Sequence, residues 1–258
     1  MDIYYTGIDV GSVTTKASVV DGNSRQVGSS IISTGISGFN SAEFVFERAL
    51  KEAGITREMI KRIIATGYGR SLVSFADRQV TEITCHARGA FRKLGKPLTL
   101  IDIGGQDTKV IVVVDGGKVA RFLMNDRCAA GTGRFLEVMA RVLETDLDNL
   151  SEMALNTHNR AKINSLCTVF AESEVVGLLA RGVSRDEIAG GLCYSIAERI
   201  SSMTKKVGIS GPVFISGGVA YNGAVVSGIS DILDEDVYII DEPQLNGAYG
   251  AALVAMTE

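Results

Sequence analysis

Proline is scarce in this chain, three residues in 258 against 29 glycines. Its punctuation is therefore glycine, and the glycines come in clusters. No apolar run approaches membrane length; the longest purely aliphatic stretch is residues 110–114. There is no basic block, and the formal charge is −4, which argues against a dedicated nucleic-acid binder. The opening residues, Met1-Asp2-Ile3-Tyr4-Tyr5, lack the basic and apolar regions of a secretory signal. Cysteine is limited to four residues. Without a secretory signal these point to a reducing, cytoplasmic setting and not to a disulfide framework. Against these absences stands a core-forming composition, 46% hydrophobic and 22% charged, which excludes wholesale disorder. The length suffices for one large domain or two small ones.

The chain opens as strand, glycine turn, strand, turn, strand. Residues 3–8 are β-branched and aromatic, Asp9-Val10-Gly11-Ser12 is a turn, and residues 17–20 and 26–33 are strands joined by Asp21-Gly22-Asn23. Helical spacing of Phe44, Val45, Ala49 and Leu50 predicts a helix over 41–53, stopped by Gly54. A strand over 60–65 ends in Thr66-Gly67-Tyr68-Gly69-Arg70, and a helix covers 84–94. Gly95-Lys96-Pro97 is the clearest boundary. The opening pattern then repeats, with strands at 98–101, 109–114 and 119–124 and turns at Asp102-Ile103-Gly104-Gly105 and Asp115-Gly116-Gly117. Asp9-Val10-Gly11-Ser12-Val13-Thr14-Thr15-Lys16 aligns with Asp102-Ile103-Gly104-Gly105-Gln106-Asp107-Thr108-Lys109, and Asp, Gly, Thr and Lys fall in register. Two chance hairpins would not share four positions in eight and a second Asp-Gly turn; the repeat is a duplication of half a molecule. The remainder is more helical, with helices expected from about Arg134 and over 169–181, 188–207 and 247–256, and strands over 213–215 and 237–240.

Neither common phosphate motif is present: no GxxxxGK followed by Ser or Thr, and no GxGxxG between strand and helix. The glycine turns join strand to strand. Such turns suit phosphate, because glycine lets backbone N–H groups approach an anion. Gly11, Ser12, Val13, Thr14, Thr15 and Lys16 would bind phosphate with amides, hydroxyls and one cation. Gly104 and Gly105 would do so in the second half. Asp9 and Asp102 would hold Mg2+ through water, and Gly217-Gly218 would let the backbone lie flat against a base. Gln106 would orient an attacking water near the γ-phosphate. The set DxGSxxTK at 9–16, DIGGQD at 102–107 and GGVA at 217–220 resembles the actin, sugar-kinase and heat-shock chaperone ATPase superfamily. That resemblance implies an α/β class, a duplicated ribonuclease H-like fold with two lobes around a nucleotide cleft.

Cys128 opens Cys128-Ala129-Ala130-Gly131-Thr132-Gly133, and Cys167 precedes Thr168-Val169-Phe170. Both sit near expected helix N-termini, which favours a thiolate. Cys193 reads as core in an apolar helix, and Cys85 and His86 as structural. Spacing alone leaves cluster, zinc, active-site disulfide and packing open for Cys128 and Cys167, because a cubane or a closed zinc site takes four ligands. A two-fold dimer would complete four.

The stretches 124–135 (MNDRCAAGTGRF) and 167–175 (CTVFAESEV), with 65–70 (ATGYGR) and Cys85-His86-Ala87, resemble the activator component of 2-hydroxyacyl-CoA dehydratases, in the BadF/BadG/BcrA/BcrD ATPase family. The resemblance implies a homodimer sharing one 4Fe–4S cluster held by Cys128 and Cys167 of each subunit. It implies an oxygen-sensitive iron–sulfur ATPase that binds ATP or ADP with Mg2+. A ferredoxin or flavodoxin would supply the electron and a partner iron–sulfur dehydratase would receive it. Gln244 matches a family position beside the nucleotide. The expected division is a first lobe over 1–96, with helix 246–258 packed back on it, and a second lobe over 97–245 carrying the cysteines. Two positions depart from the family pattern: Leu166 replaces a threonine, and Val13-Thr14-Thr15 replaces Thr-Ala-Ser. Related activators serve benzoyl-CoA reductases and double-cubane cluster proteins. The competing classes are a small-molecule kinase of the same superfamily and a non-catalytic ATP-switched module.

Overall fold

The computed structural model describes residues 3–35, 38–126, 128–164 and 167–257. Its first strands are β1 (Tyr4–Val10), β2 (Thr14–Asp21) and β3 (Gln26–Ser33), followed by α1 (Gly38–Ala53), β4 (Ile60–Thr66), β5 (Arg78–Gln79) and α2 (Glu82–Leu94). Then come β6 (Leu98–Ile103), β7 (Thr108–Val114), β8 (Lys118–Asn125), α3 (Gly133–Val142), α4 (Leu147–Leu155), α5 (Thr168–Ala180) and α6 (Arg185–Val207). The chain closes with β9 (Val213–Ser216), α7 (Gly223–Leu233), β10 (Val237–Ile239) and α8 (Asn246–Thr257). Each strand and helix read from the sequence is present, with ends shifted by a few residues. The helices α4 and α7 are additional.

The duplication is visible in sheet topology. The first sheet runs β3-β2-β1-β4-β5, and the second, taken in the same sense, runs β8-β7-β6-β9-β10. In the first, β1 pairs antiparallel with β2 and parallel with β4, so Asp9 stands beside Lys16 on one side and Thr66 on the other. Both halves turn sharply after the fourth strand: Gly67 follows β4 and Gly217 follows β9, each at φ +88°. A side chain at Gly67 would collide with Asp9 Oδ1, and one at Gly217 with the Ile103 carbonyl. The left-handed backbone and the close approach both demand glycine.

Contacts divide the chain into two units. One comprises Met1–Leu100, Ile111–Arg121 and Ile240–Glu258; the other comprises Ile101–Val110 and Phe122–Ile239. In the first unit, alternate residues of the sheet point to opposite faces. Ile8, Val10, Ala17 and Val19 pack under Val45, Phe46, Ala49 and Leu50 of α1. Ile64 and Val20 pack with Ala251, Ala252, Val254 and Tyr249 of α8 and with Cys85 of α2. Each fully buried side chain of Phe46 type contributes about 1.5–3 kcal/mol of transfer free energy. The start of α2 is capped by Thr81, whose hydroxyl accepts from Thr84 N, and the helix ends on Gly95 at φ +67°. In the second unit α6 opens on a Ser184/Glu187 capping box. No described helix is long and apolar enough to cross a membrane.

Candidate functional site

The first glycine hairpin joins β1 to β2. Gly11 N donates to Thr14 O at 3.0 Å, and Thr34 N donates to Val13 O at 2.9 Å. The Thr34 hydroxyl donates to Gly11 O at 2.8 Å and shares a hydrogen bond with the Thr15 hydroxyl at 3.0 Å. This lattice of hydroxyls fixes the loop. Ser12 is left exposed and Gly11, Val13 and Thr14 half-buried. Lys16 Nζ lies 3.3 Å from Asp9 Oδ2, as their facing positions in the β1–β2 ladder require.

The second hairpin repeats this geometry and adds partners. Gly104 N donates to Asp107 O at 2.9 Å, the counterpart of the Gly11 bond. Lys109 Nζ lies 3.3 Å from Asp102 Oδ2, the same distance as in the first half, and also 2.9 Å from Asp107 Oδ2. Ser216 Oγ donates to Asp102 Oδ1 at 2.7 Å, so both oxygens of Asp102 are engaged. Gly104 and Gly105 are half-buried, and Gln106 is exposed at the tip.

This second turn is wired to the cysteine loop. Gly133 N donates to Gly104 O at 2.9 Å, and Arg134 N to Gly105 O at 2.8 Å. These are unpaired N–H groups of the first turn of α3, and the turn carbonyls satisfy them. Thr108 Oγ1 adds a bond to Gly131 O at 2.5 Å. Cys128 lies exposed just before this loop; its carbonyl and that of Ala130 both accept from Asn125 Nδ2. Cys128 therefore precedes the N-cap Thr132 by most of a loop, whereas Cys167 is itself the N-cap of α5. Cys167 is also exposed, and its carbonyl accepts from Ala171 N at 2.8 Å. Ahead of it, Asn164 is tied to Glu174 of α5 by three hydrogen bonds. Leu166 and Arg127 lie outside the described residues.

The other two cysteines differ. Cys85 is buried in α2. Cys193 is buried in α6, and burial pushes its thiol up to about 12, with a smaller opposing effect from its hydrogen bond to Asn222. Among the described residues, no three His, Cys, Asp or Glu side chains converge within one chain to hold a metal ion. The helix that Cys167 caps is largely apolar outside Glu172, Ser173 and Glu174, yet only Ala171, Val175 and Leu178 are buried. Val169, Phe170 and Val176 are 69%, 67% and 54% exposed. Such a helix is normally covered.

Of the residues expected to receive adenosine, Gly217 is half-buried and Gly218 exposed, at a short helical turn after β9. Gln244 is half-buried in the turn before α8. Ser216 was missed by sequence reasoning, and Asp107, Lys109, Thr66 and Gly67 were seen in motifs but given no role; Thr66 and Gly67 are the first half's counterparts of Ser216 and Gly217. Overlaying Thr66-Gly67 on Ser216-Gly217 would have revealed the last pair.

Comparison with known proteins agrees with this geometry. The model of the BadF/BadG/BcrA/BcrD ATPase family matches residues 6–255. The activator of lactoyl-CoA dehydratase from Anaerotignum propionicum is 44% identical over 253 residues, covering 98% of this chain and 97% of that protein. The solved activator of the 2-hydroxyisocaproyl-CoA dehydratase from Clostridium difficile, with bound ADPNP, superposes with a TM-score of 0.93 at 42% identity, covering 99% of this chain and 95% of that one. A ROK hexokinase from Thermus thermophilus, at 20% identity and a TM-score of 0.54 over 99% of both chains, shares the fold alone.

Proposed function

The chain belongs to the BadF/BadG/BcrA/BcrD ATPase family, and from that premise we propose that it is an ATP-dependent one-electron donor to a partner iron–sulfur 2-hydroxyacyl-CoA dehydratase. The observation that carries this reading is the pair of free, exposed cysteines in one unit, Cys128 and Cys167, ahead of helices α3 and α5. Two thiols are half of what a cubane takes. A second copy, docked on the apolar face of Val169, Phe170 and Val176, would supply the other half and cover that face. The donor set thus fits a 4Fe–4S cluster shared by a homodimer, and N-terminal helix dipoles would favour its negative charge. When bound, the cluster supplies one-electron chemistry: a ferredoxin or flavodoxin gives up one electron and the partner enzyme gains it.

The hairpins would serve the nucleotide. Gly11 to Lys16 and Gly104-Gly105 present amides, hydroxyls and one cation to phosphate oxygens, and Gln106 would aim the attacking water. Gly217, Gly218 and Gln244 would receive the adenosine. Asp9, which engages Lys16 through one oxygen, fits a Mg2+-bound water better than Asp102, whose oxygens are both taken. The functional lobes would be residues 1–96 with helix 246–258, and residues 97–245. A nucleotide at the Gly104-Gly105 turn would act on the cysteine loop through the Gly133 and Arg134 amides, biasing two states by its different affinity for each.

Iron and acid-labile sulfide, measured on protein purified without oxygen, test the reading. About four of each per two chains, lost in Cys128→Ser and in Cys167→Ser, are expected. Iron retained by either variant, or zinc in place of iron, would sink the ligand assignment.

A further inference from the structure

Helix α6 meets both of the segments that carry the exposed cysteines. Toward its N-terminal end it holds residues 157–164, the chain ahead of Cys167. Ala161 N donates to Glu187 O at 2.8 Å, so this strap bonds to a carbonyl of the helix itself. A methyl group on Gly191 would lie 2.0 Å from Ala161 O, and one on Gly190 would lie 3.0 Å from Thr157 Cγ2. Both glycines sit inside α6, and what they supply is room for another backbone to approach. In the same strap the Arg160 guanidinium lies 4.3 Å over the ring of Tyr194 of α6. Asn164, at its far end, is tied to Glu174 of α5. The strap therefore runs from α6 to the helix that Cys167 caps.

Further along, α6 meets the other cysteine segment with the roles reversed. Here the glycine belongs to the loop. A methyl group on Gly131 would lie 3.0 Å from Arg199 Cδ and 3.5 Å from Arg199 Nε, so the stem of Arg199 packs against the loop between Cys128 and α3. Arg199 Nε is buried and makes no hydrogen bond. At this point Arg199 contributes the shape of its stem, as long cationic side chains do when their methylenes are covered. Gly191 and Arg199 stand on one regular helix, about 12 Å apart along its axis. One rigid element thus touches the segment ahead of each cysteine-bearing helix.

We infer that α6 is the platform that sets Cys128 and Cys167 at a fixed separation, with Gly191 and Arg199 as positioning residues for the thiol pair. Ligands carried on two loops need such a support to keep the spacing of one site. The inference rests on the reading above, in which both thiols of a chain bind one cluster. Whole protein purified without oxygen tests it. In metal-free protein a short bis-maleimide should join Cys128 to Cys167 within one chain, since Cys85 and Cys193 are buried. Gly191→Ala favours α6 itself, alanine being the better helix former, but its methyl has no room beneath Ala161. Crosslinking within a chain should slow, and iron retained against a chelator should fall, each about 10-fold, with ADP binding by calorimetry unchanged. Arg199→Ala, which removes the stem, should do the same, and Arg199→Met, which keeps it, should restore both. No crosslink in the unaltered protein, unchanged crosslinking in Gly191→Ala, an equal loss of ADP binding, or an Arg199→Met as poor as Arg199→Ala overturns the inference. Unaltered protein that crosslinks readily and takes up no iron overturns the cluster reading instead, which separates the two failures.

Discussion

In the first hairpin, Lys16 keeps 13% of its side chain exposed beside a single carboxylate. In the second, Lys109 keeps 1% and bridges two carboxylates, one of them also held by Ser216. The backbones match, turn bond for turn bond, and the Lys–Asp distances are equal. What differs is the company. One copy of the duplicated motif keeps a cation within reach of solvent, where it can meet a ligand. The other has withdrawn its cation into a closed network that holds the turn rigid against α3. A duplicated motif can thus diverge: one half keeps its lysine accessible, and the other ties its turn to the loop ahead of α3.

The sharpest test is Lys109→Ala. It removes the cation that bridges Asp102 and Asp107, and breaking such a buried pair costs about 3–5 kcal/mol, which urea unfolding would read as a large drop in midpoint. Equal losses in Lys16→Ala and Lys109→Ala would break the comparison. Lys16→Ala should cost about 1.5 kcal/mol of stability, and its main effect should be on nucleotide, with ATP binding about 10-fold weaker by fluorescence titration. Two further substitutions separate the fourth strands. Ser216→Ala removes a bond to a buried carboxylate and should destabilise by about 1–3 kcal/mol. Thr66→Val removes a buried hydroxyl that bonds to nothing while keeping its shape, and should stabilise by about 1 kcal/mol. A destabilised Thr66→Val protein would show that its hydroxyl already has a partner in solution.

Most of the fold was legible along the chain. Runs of β-branched and aromatic residues between glycine turns marked the strands, and 3.6-residue spacing marked α1 and α3. Glycine at Gly54 and Gly95 marked helix ends, where both adopt positive φ. The helices α4 and α7 were not expected from the sequence, and α7 opens on Gly223-Ala224. Their starts were nonetheless written in Asp146 and Asn222, whose side chains accept from Asn149 N and Val225 N. At the site, the two cysteines and the two turns were legible because each is a local motif. The contact between them was not, since Gly104 and Gly133 are far apart in sequence and meet only through the packing of α3 on the turn.

The sequence by itself determined the strands, the hairpins and the duplication, because the β preference of branched side chains and the backbone freedom of glycine are properties of adjacent residues. Tertiary structure alone decided which lysine is buried and which stays accessible. It decided that α6 meets the segments ahead of both cysteine-bearing helices, and that α5 leaves an apolar face uncovered beside Cys167. Burial and charge pairing depend on which distant segments share a volume, and no stretch of the chain carries that information alone.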